Sequence, residues 1–149
     1  MEYTERITEN LALLGVVNPQ SANNTTLSTG WIDASRCKRL AGLLMLGADT
    51  GCTVDFKIQS ATSAGGANAA DIPGKAITQL QATDANKQAW LEIKGEEIGA
   101  LGPTRQWIRY QAVVGNGTSV LVSVAVMGEV LRFSPAADFD AATVAQIVA

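Results

Sequence analysis

The residues in this chain whose types could do chemistry are few. They are the adjacent carboxylates Glu96 and Glu97, the acids Asp33, Asp49 and Asp55, the thiols Cys37 and Cys52, and the indoles Trp31, Trp90 and Trp107. Glycoside hydrolysis needs two carboxyl groups facing each other across a bond, which neighbours in one turn do not supply. The three aspartates fit no calcium-loop spacing, and Asp55 falls inside a predicted strand. Serine and threonine are abundant, but with no histidine a conventional triad cannot be assembled, and the commonest general base and metal ligand is missing. The cysteines lack the partners of a zinc site; they read as buried thiols, and whether the fold brings them together stays open. Gly65 and Gly66 lie in a small-residue stretch without phosphate-loop spacing or its lysine. No catalytic residue, cofactor site or metal site is predicted.

The tryptophans point elsewhere. Two or three on one sheet face would make a sugar-stacking platform or a protein interface, whereas tryptophans between sheets would only fill a seam. The seam is the expectation for Trp31 and Trp107. In QAWLEIK (88–94) it turns Ala89, Leu91 and Ile93 inward and leaves Trp90 on the outer face.

The elements that must position these residues are mostly strands. Cys52 to Gln59 alternates without error, with Cys52, Val54, Phe56 and Ile58 on one side and Thr53, Asp55, Lys57 and Gln59 on the other. Leu40 to Leu46 is apolar on both sides and reads as a central, doubly covered strand. Between them Gly47-Ala48-Asp49-Thr50-Gly51 has turn chemistry, so 39–61 reads as a hairpin. Ser28 to Ala34, Lys75 to Gln81, Gln106 to Val114 and Ser119 to Met127 are further strands, and Gly115-Asn116-Gly117 carries a second hairpin signal. Ser60 to Gly74 reads as a long flexible loop, and 95–102 can hold one helical turn at most.

The two ends are less regular. Tyr3, Ile7, Leu11 and Leu14 recur at helical spacing, but the same residues could form an extended arm ending in LALLGVV, and Asn18-Pro19 breaks what precedes it. Residues 1–27 therefore read as an arm and polar loop. After Pro135, Asp140 could cap a short helix over AATVAQIVA that must dock elsewhere, so 135–149 reads as a helix or tail.

The chain has 149 residues, one domain on length, with 47% hydrophobic and only 17% charged residues. So lightly charged a composition suits a protein that works packed against copies or partners. The net charge is −3 and the eleven basic residues are scattered, which argues against nucleic-acid binding. No apolar run is long enough to span a bilayer as a helix, and the acidic N-terminus lacks a secretory signal's basic residues, so the expectation is a cytoplasmic product without a membrane partner.

The order LLGVVNPQS, TGWIDASRCKRL, GADTGCTVDFKIQSAT, DIPGKAITQL, NKQAWLEIKGEEI and RYQAVVG, from about Leu11 to the end, resembles the small head decoration, or cement, proteins of tailed bacteriophages. The resemblance implies an all-β, antiparallel, jelly-roll-like sandwich without catalytic residues. It implies a virion protein, made in the host cytoplasm, that oligomerises on the outside of a capsid and stabilises it. Its partners would be the major capsid protein and its own copies. The contact candidates are Tyr3, Arg6 and Ile7 in the arm, Phe139, Val144 and Ile147 in the tail, and Trp90 on its strand. The alternative is a glycan- or receptor-binding sandwich of a phage tail or fibre.

Overall fold

The computed structural model describes residues 6–130 and 136–148. One helical turn, α1 (Ile7–Asn10), runs straight into β1 (Leu11–Ala22). There follow β2 (Thr25–Ser28), the two-residue β3 (Ile32–Asp33), β4 (Cys37–Asp49), β5 (Thr53–Ala61), β6 (Ala70–Ala76) and β7 (Gln88–Lys94). A second helical turn, α2 (Gly95–Gly99), precedes β8 (Trp107–Gly115) and β9 (Val120–Val130).

The pairings are antiparallel and nested: β1 with β9, β2 with β8, β4 with β7, β5 with β6. The chain is thus one long hairpin folded back at residues 62–69. Rolling it up adds the pairs β4–β9 and β5–β8 and gives two sheets, ordered β1-β9-β4-β7 and β2-β8-β5-β6, with β3 also on β8. This is a jelly roll, as the family resemblance implied.

The roll explains why both expected hairpins are something else. β4 lies in the first sheet and β5 in the second, and β8 and β9 divide the same way, so each tight turn is a corner between sheets. The turn chemistry is as read: Gly51, Asn116 and Gly117 have φ of 100°, 53° and 69°. What local sequence does not specify is which strand each flank pairs with. The two corners meet. Thr50 Oγ1 donates to the Ser119 carbonyl at 3.0 Å and accepts from the Ser119 N–H at 2.9 Å, while the Thr50 N–H donates to that same carbonyl at 2.9 Å. A Cβ on Gly117 would run into the Gly51 and Cys52 backbone.

Between the sheets Leu40, Leu44, Ile93, Val124 and Val126 meet Val54, Phe56, Ile58, Ile108 and Tyr110, none more than 1% exposed. Burial of each such side chain stabilises by about 1.5–3 kcal/mol. Tyr110 lies against Gly42, where any Cβ would strike its ring, and stacks obliquely on Phe56 with centroids 5.7 Å apart. The core aromatics are therefore Phe56 and Tyr110. The expected seam-filling tryptophans, Trp31 and Trp107, are absent from it and only half-buried, while Trp90 is exposed on the outer face as expected.

Other expectations are corrected. Leu40 to Leu46 is central but covered on one face only, with Leu40, Leu44 and Leu46 buried and Met45 40% exposed. Residues 1–27 are not an arm and loop throughout, because Leu11–Ala22 forms a full strand. A register shift between Val17 and Gln20 absorbs Pro19, which an edge strand tolerates because its outward N–H is not needed. The strand expected over 28–34 shrinks to Ile32–Asp33. The loop expected over 60–74 contains most of β6, while of the strand expected over 75–81 Lys75 and Ala76 end β6, Ala76 pairs with Lys57, and beyond them Leu80 bridges to Val54. Residues 62–68 are knitted by Thr62, Ser63 and Asn68, and Arg105 clamps them through Ser60 and Asn68.

No helix forms over 141–148. Asp140, the expected cap, instead accepts the Leu13 N–H through Oδ1 at 2.6 Å, and the Ala141 N–H donates to the Leu13 carbonyl at 2.6 Å. The tail thereby covers part of the free edge of β1, which otherwise invites pairing with another chain. On the other side Lys75 Nζ donates to the Glu92 carbonyl at 3.0 Å and pairs with Glu97 at 2.8 Å, tying β6 to β7 and α2.

The corner contact sets an expectation for stability. Gly74 and Gly117 both have positive φ (76° and 69°), but a Cβ at Gly74 meets nothing within 4 Å. Gly74→Ala should cost about 1–2 kcal/mol from the backbone alone. Gly117→Ala should cost about 1–3 kcal/mol more from the overlap. Urea melts of the two variants measure the difference directly.

Candidate interaction surface

The register of the first sheet defines its outer face residue by residue. Reading across β1, β9, β4 and β7, one row is Leu11, Glu129, Arg39 and Lys94, and the next is Leu13, Met127, Ala41 and Glu92. Then come Val16, Ala125, Leu43 and Trp90, followed on the last three strands by Ser123, Met45 and Gln88. The centre is apolar, charges lie at one end, and no layer of the described chain covers it. Trp90 is 59% exposed, Leu121 49% and Leu11 38%. At the charged end a groove of about 570 Å³ has Leu11, Ala41, Met127 and Trp90 in its lining and the Arg39–Glu129 ion pair (2.7 Å) beside them.

The second sheet's outer face is built differently. Lys57 pairs with Asp71 at 2.8 Å, Gln59 donates to Asp71 at 2.6 Å, and Arg109 Nε donates to Gln59 at 2.9 Å. Gln79 donates to Asp55, and Gln111 to Ser28. The Arg109 guanidinium sits 4.6 Å from the Trp31 ring centroid, and Gly66 packs so closely on that indole that a side chain there would collide with it. One outer face is self-satisfied and polar; the other is an open apolar sheet. A contiguous apolar patch on a folded surface marks an interface.

The contact candidates fall into two places. Arg6 and Ile7 (63% exposed) begin the helical turn before β1, and Phe139, Val144 and Ile147 belong to the tail that bonds to Leu13. The two ends of the chain are thus brought to one edge strand. Phe139 is half-buried, with Arg36 over its ring at 5.6 Å, and Ile147 is 41% exposed. Trp90 stands apart, on the opposite edge strand. Tyr3 lies outside the described residues. Sequence reasoning missed Leu43, Met45, Leu121 and Met127, although the doubly apolar run LLML and the strand VLVSVAVM contained the signal. The first was read as covered on two sides, and one side of each is bare of any described element.

Among the described residues no three histidine, cysteine, aspartate or glutamate side chains converge as a metal site would require. Cys37 and Cys52 are free and flank the 13-residue β4, a span of about 40 Å, far beyond disulfide reach. Burial, reinforced by Asp33, pushes the Cys37 thiol up to about 11, which keeps it protonated and unreactive. No helix among the described residues is long and apolar enough to cross a membrane.

No protein-family model matches the chain, and no curated protein matches it. Solved structures do resemble it in shape. A chain from the structure of Triatoma virus aligns over 91% of this chain and 72% of its own, with a TM-score of 0.50 and 10% identity. A chain of the Triatoma virus empty capsid aligns over 89% and 98%, at TM-score 0.48 and 11% identity. A subunit of disulfide-linked Bacillus endospore appendage pili aligns over 89% and 100%, at TM-score 0.43 and 12% identity. At such identities the first likeness shows a shared fold.

Two outcomes follow. Trp90→Ser with Leu121→Ser removes half-exposed side chains outside the core, so the unfolding free energy should fall by no more than about 1 kcal/mol per site while binding of a hydrophobic dye falls. Hydrogen bonds from Lys57 and Gln59 hold the Asp71 carboxyl below its usual range, and Lys75 with the Lys94 N–H does the same for Glu97. Their folded pKa values are depressed, so their contribution is complete above the ordinary carboxylate range of about 4 and is lost as pH falls through the folded values. Thermal melts from pH 7 to 2 should show stability declining at the acid end, and Asp71→Asn with Glu97→Gln should flatten that decline.

Proposed function

We propose that this chain is a non-catalytic structural protein of a virion, binding the outside of a phage capsid and stabilising the shell. The observation that carries the reading is the meeting of both chain ends on β1, where Ile7 and Ile147 stand exposed on a jelly roll whose first sheet also keeps an open apolar face. The sequence resemblance to phage head decoration proteins supports the finer assignment. A decoration protein works by covering joints between shell subunits, where many modest contacts add through repetition. The major capsid protein is the proposed partner, and the capsid exterior the proposed location.

The capsid contact is assigned to the edge where both ends of the chain meet. Ile7 and Ile147 are exposed there without serving the core, and both segments are anchored on or beside β1. Trp31, the best-placed tryptophan for a sugar, is already engaged by Arg109 and Gly66, which leaves the glycan-binding alternative little free ring to stack on.

Incubation of the purified protein with expanded, empty phage heads tests the proposal. It should co-sediment with them and raise the temperature at which they rupture. Ile7→Asp and Ile147→Asp should each weaken binding about tenfold, a loss of about 1.4 kcal/mol, without lowering the free protein's melting temperature. A protein that stays in the supernatant with heads but is retained by an immobilised glycan would overturn the reading.

A further inference from the structure

We infer that the outer face of the β1-β9-β4-β7 sheet docks against the same face of a second copy, about a two-fold axis that runs along the strands between β9 and β4. The register carries this, independently of any virion role. Turning a second copy over about that axis lays β1 on the partner's β7 and β9 on the partner's β4, with each row facing itself in reverse. Met127 then faces an alanine, the copy's position 41, and Leu43 faces the alanine at position 125. Trp90 faces the smaller Val16, and Met45 faces Ser123. Large side chains meet small ones at these four contacts, which is what interdigitating sheets need, while at the outer strands Leu13 faces Glu92 and Leu11 faces Lys94.

The charges agree as well. Glu129 and Arg39 sit side by side on β9 and β4, so the same rotation sets each opposite its counterpart's opposite charge, twice per dimer. An axis perpendicular to the strands would instead lay the charged row over the Leu121 end of the face. Self-complementarity of one patch is the requirement of a two-fold contact.

The size of the face sets the strength. Three strands of about nine residues and β7 of seven, ~4.8 Å apart at ~3.3 Å per residue, give a footprint of about 540 Å² per copy. Two copies together cover about 1,100 Å², the low end of specific interfaces, so association in the micromolar range is expected.

Sedimentation equilibrium on the full chain, from 1 µM to 1 mM (concentrations on the order of that range bracket such affinities), reads the outcome. The parent should dimerise with rising concentration. Arg39→Glu and Glu129→Arg each place like charges in opposition twice and should weaken dimerisation at least about tenfold. Mixed in equal amounts they should form a 1:1 heterodimer, because every opposed pair is then of opposite sign. Circular dichroism checks that each variant is folded, and the double swap R39E/E129R, which keeps the intrachain pair, should dimerise like the parent. Leu43→Arg should be monomeric. A parent that is monomeric throughout, single variants that dimerise like the parent, or a mixture that stays monomeric would each overturn the inference. If the monomeric parent covered this face only on capsids, the face would belong to the capsid contact instead.

Discussion

Everything in this molecule hangs on the place where the chain crosses twice between its sheets. The β4–β5 and β8–β9 corners are held together by Thr50, whose backbone and hydroxyl both engage Ser119, and by the contact of Gly51 with Gly117. A side chain at Gly117 would hold the corners apart. With the corners joined, β4 must lie beside β9 and β5 beside β8, which turns a nested hairpin into a closed roll. The same crossing brings Gly42 of one sheet against Tyr110 of the other, so core packing and topology enforce each other.

A roll of two sheets has two outer faces, and this chain treats them differently. The β2-β8-β5-β6 face spends its polar groups on itself, through Lys57, Asp71, Gln59 and Arg109. The β1-β9-β4-β7 face carries leucine, methionine, alanine and tryptophan with no described element over them. Large exposed apolar surface weakens solubility, so its persistence is best accounted for by a partner. Edges are guarded too: Pro19 and the tail at Leu13 blunt β1, and Lys75 crosses to β7. Association through faces is thereby favoured over edge-to-edge aggregation.

Much of this was legible in the sequence because strand alternation is a local property. Cys52 to Gln59 reports its buried side faithfully, and Gln88 to Lys94 places Trp90 outside. The all-β class followed from such segments. What could not be read is pairing, since Gly115-Asn116-Gly117 has hairpin chemistry whether its flanking strands share a sheet or part between two. The functional face was hidden for a related reason. A doubly apolar strand such as Leu40 to Leu46 looks the same whether its second face is buried in its own fold or kept for another molecule. The tail is a third case, because the bond from Leu13 to Asp140 spans most of the chain and leaves no local trace.

The central claim is that the apolar sheet face is covered when the protein is at work and the polar face is not. Hydroxyl-radical footprinting, read by mass spectrometry on the free chain at low concentration and on assembled particles, measures this side chain by side chain. The account predicts strong protection of Met45, Met127 and Trp90 on assembly, with Trp31 and Trp107 labelled as before. Unchanged labelling of Met45, Met127 and Trp90, with protection of Trp31 and Trp107 instead, would contradict it.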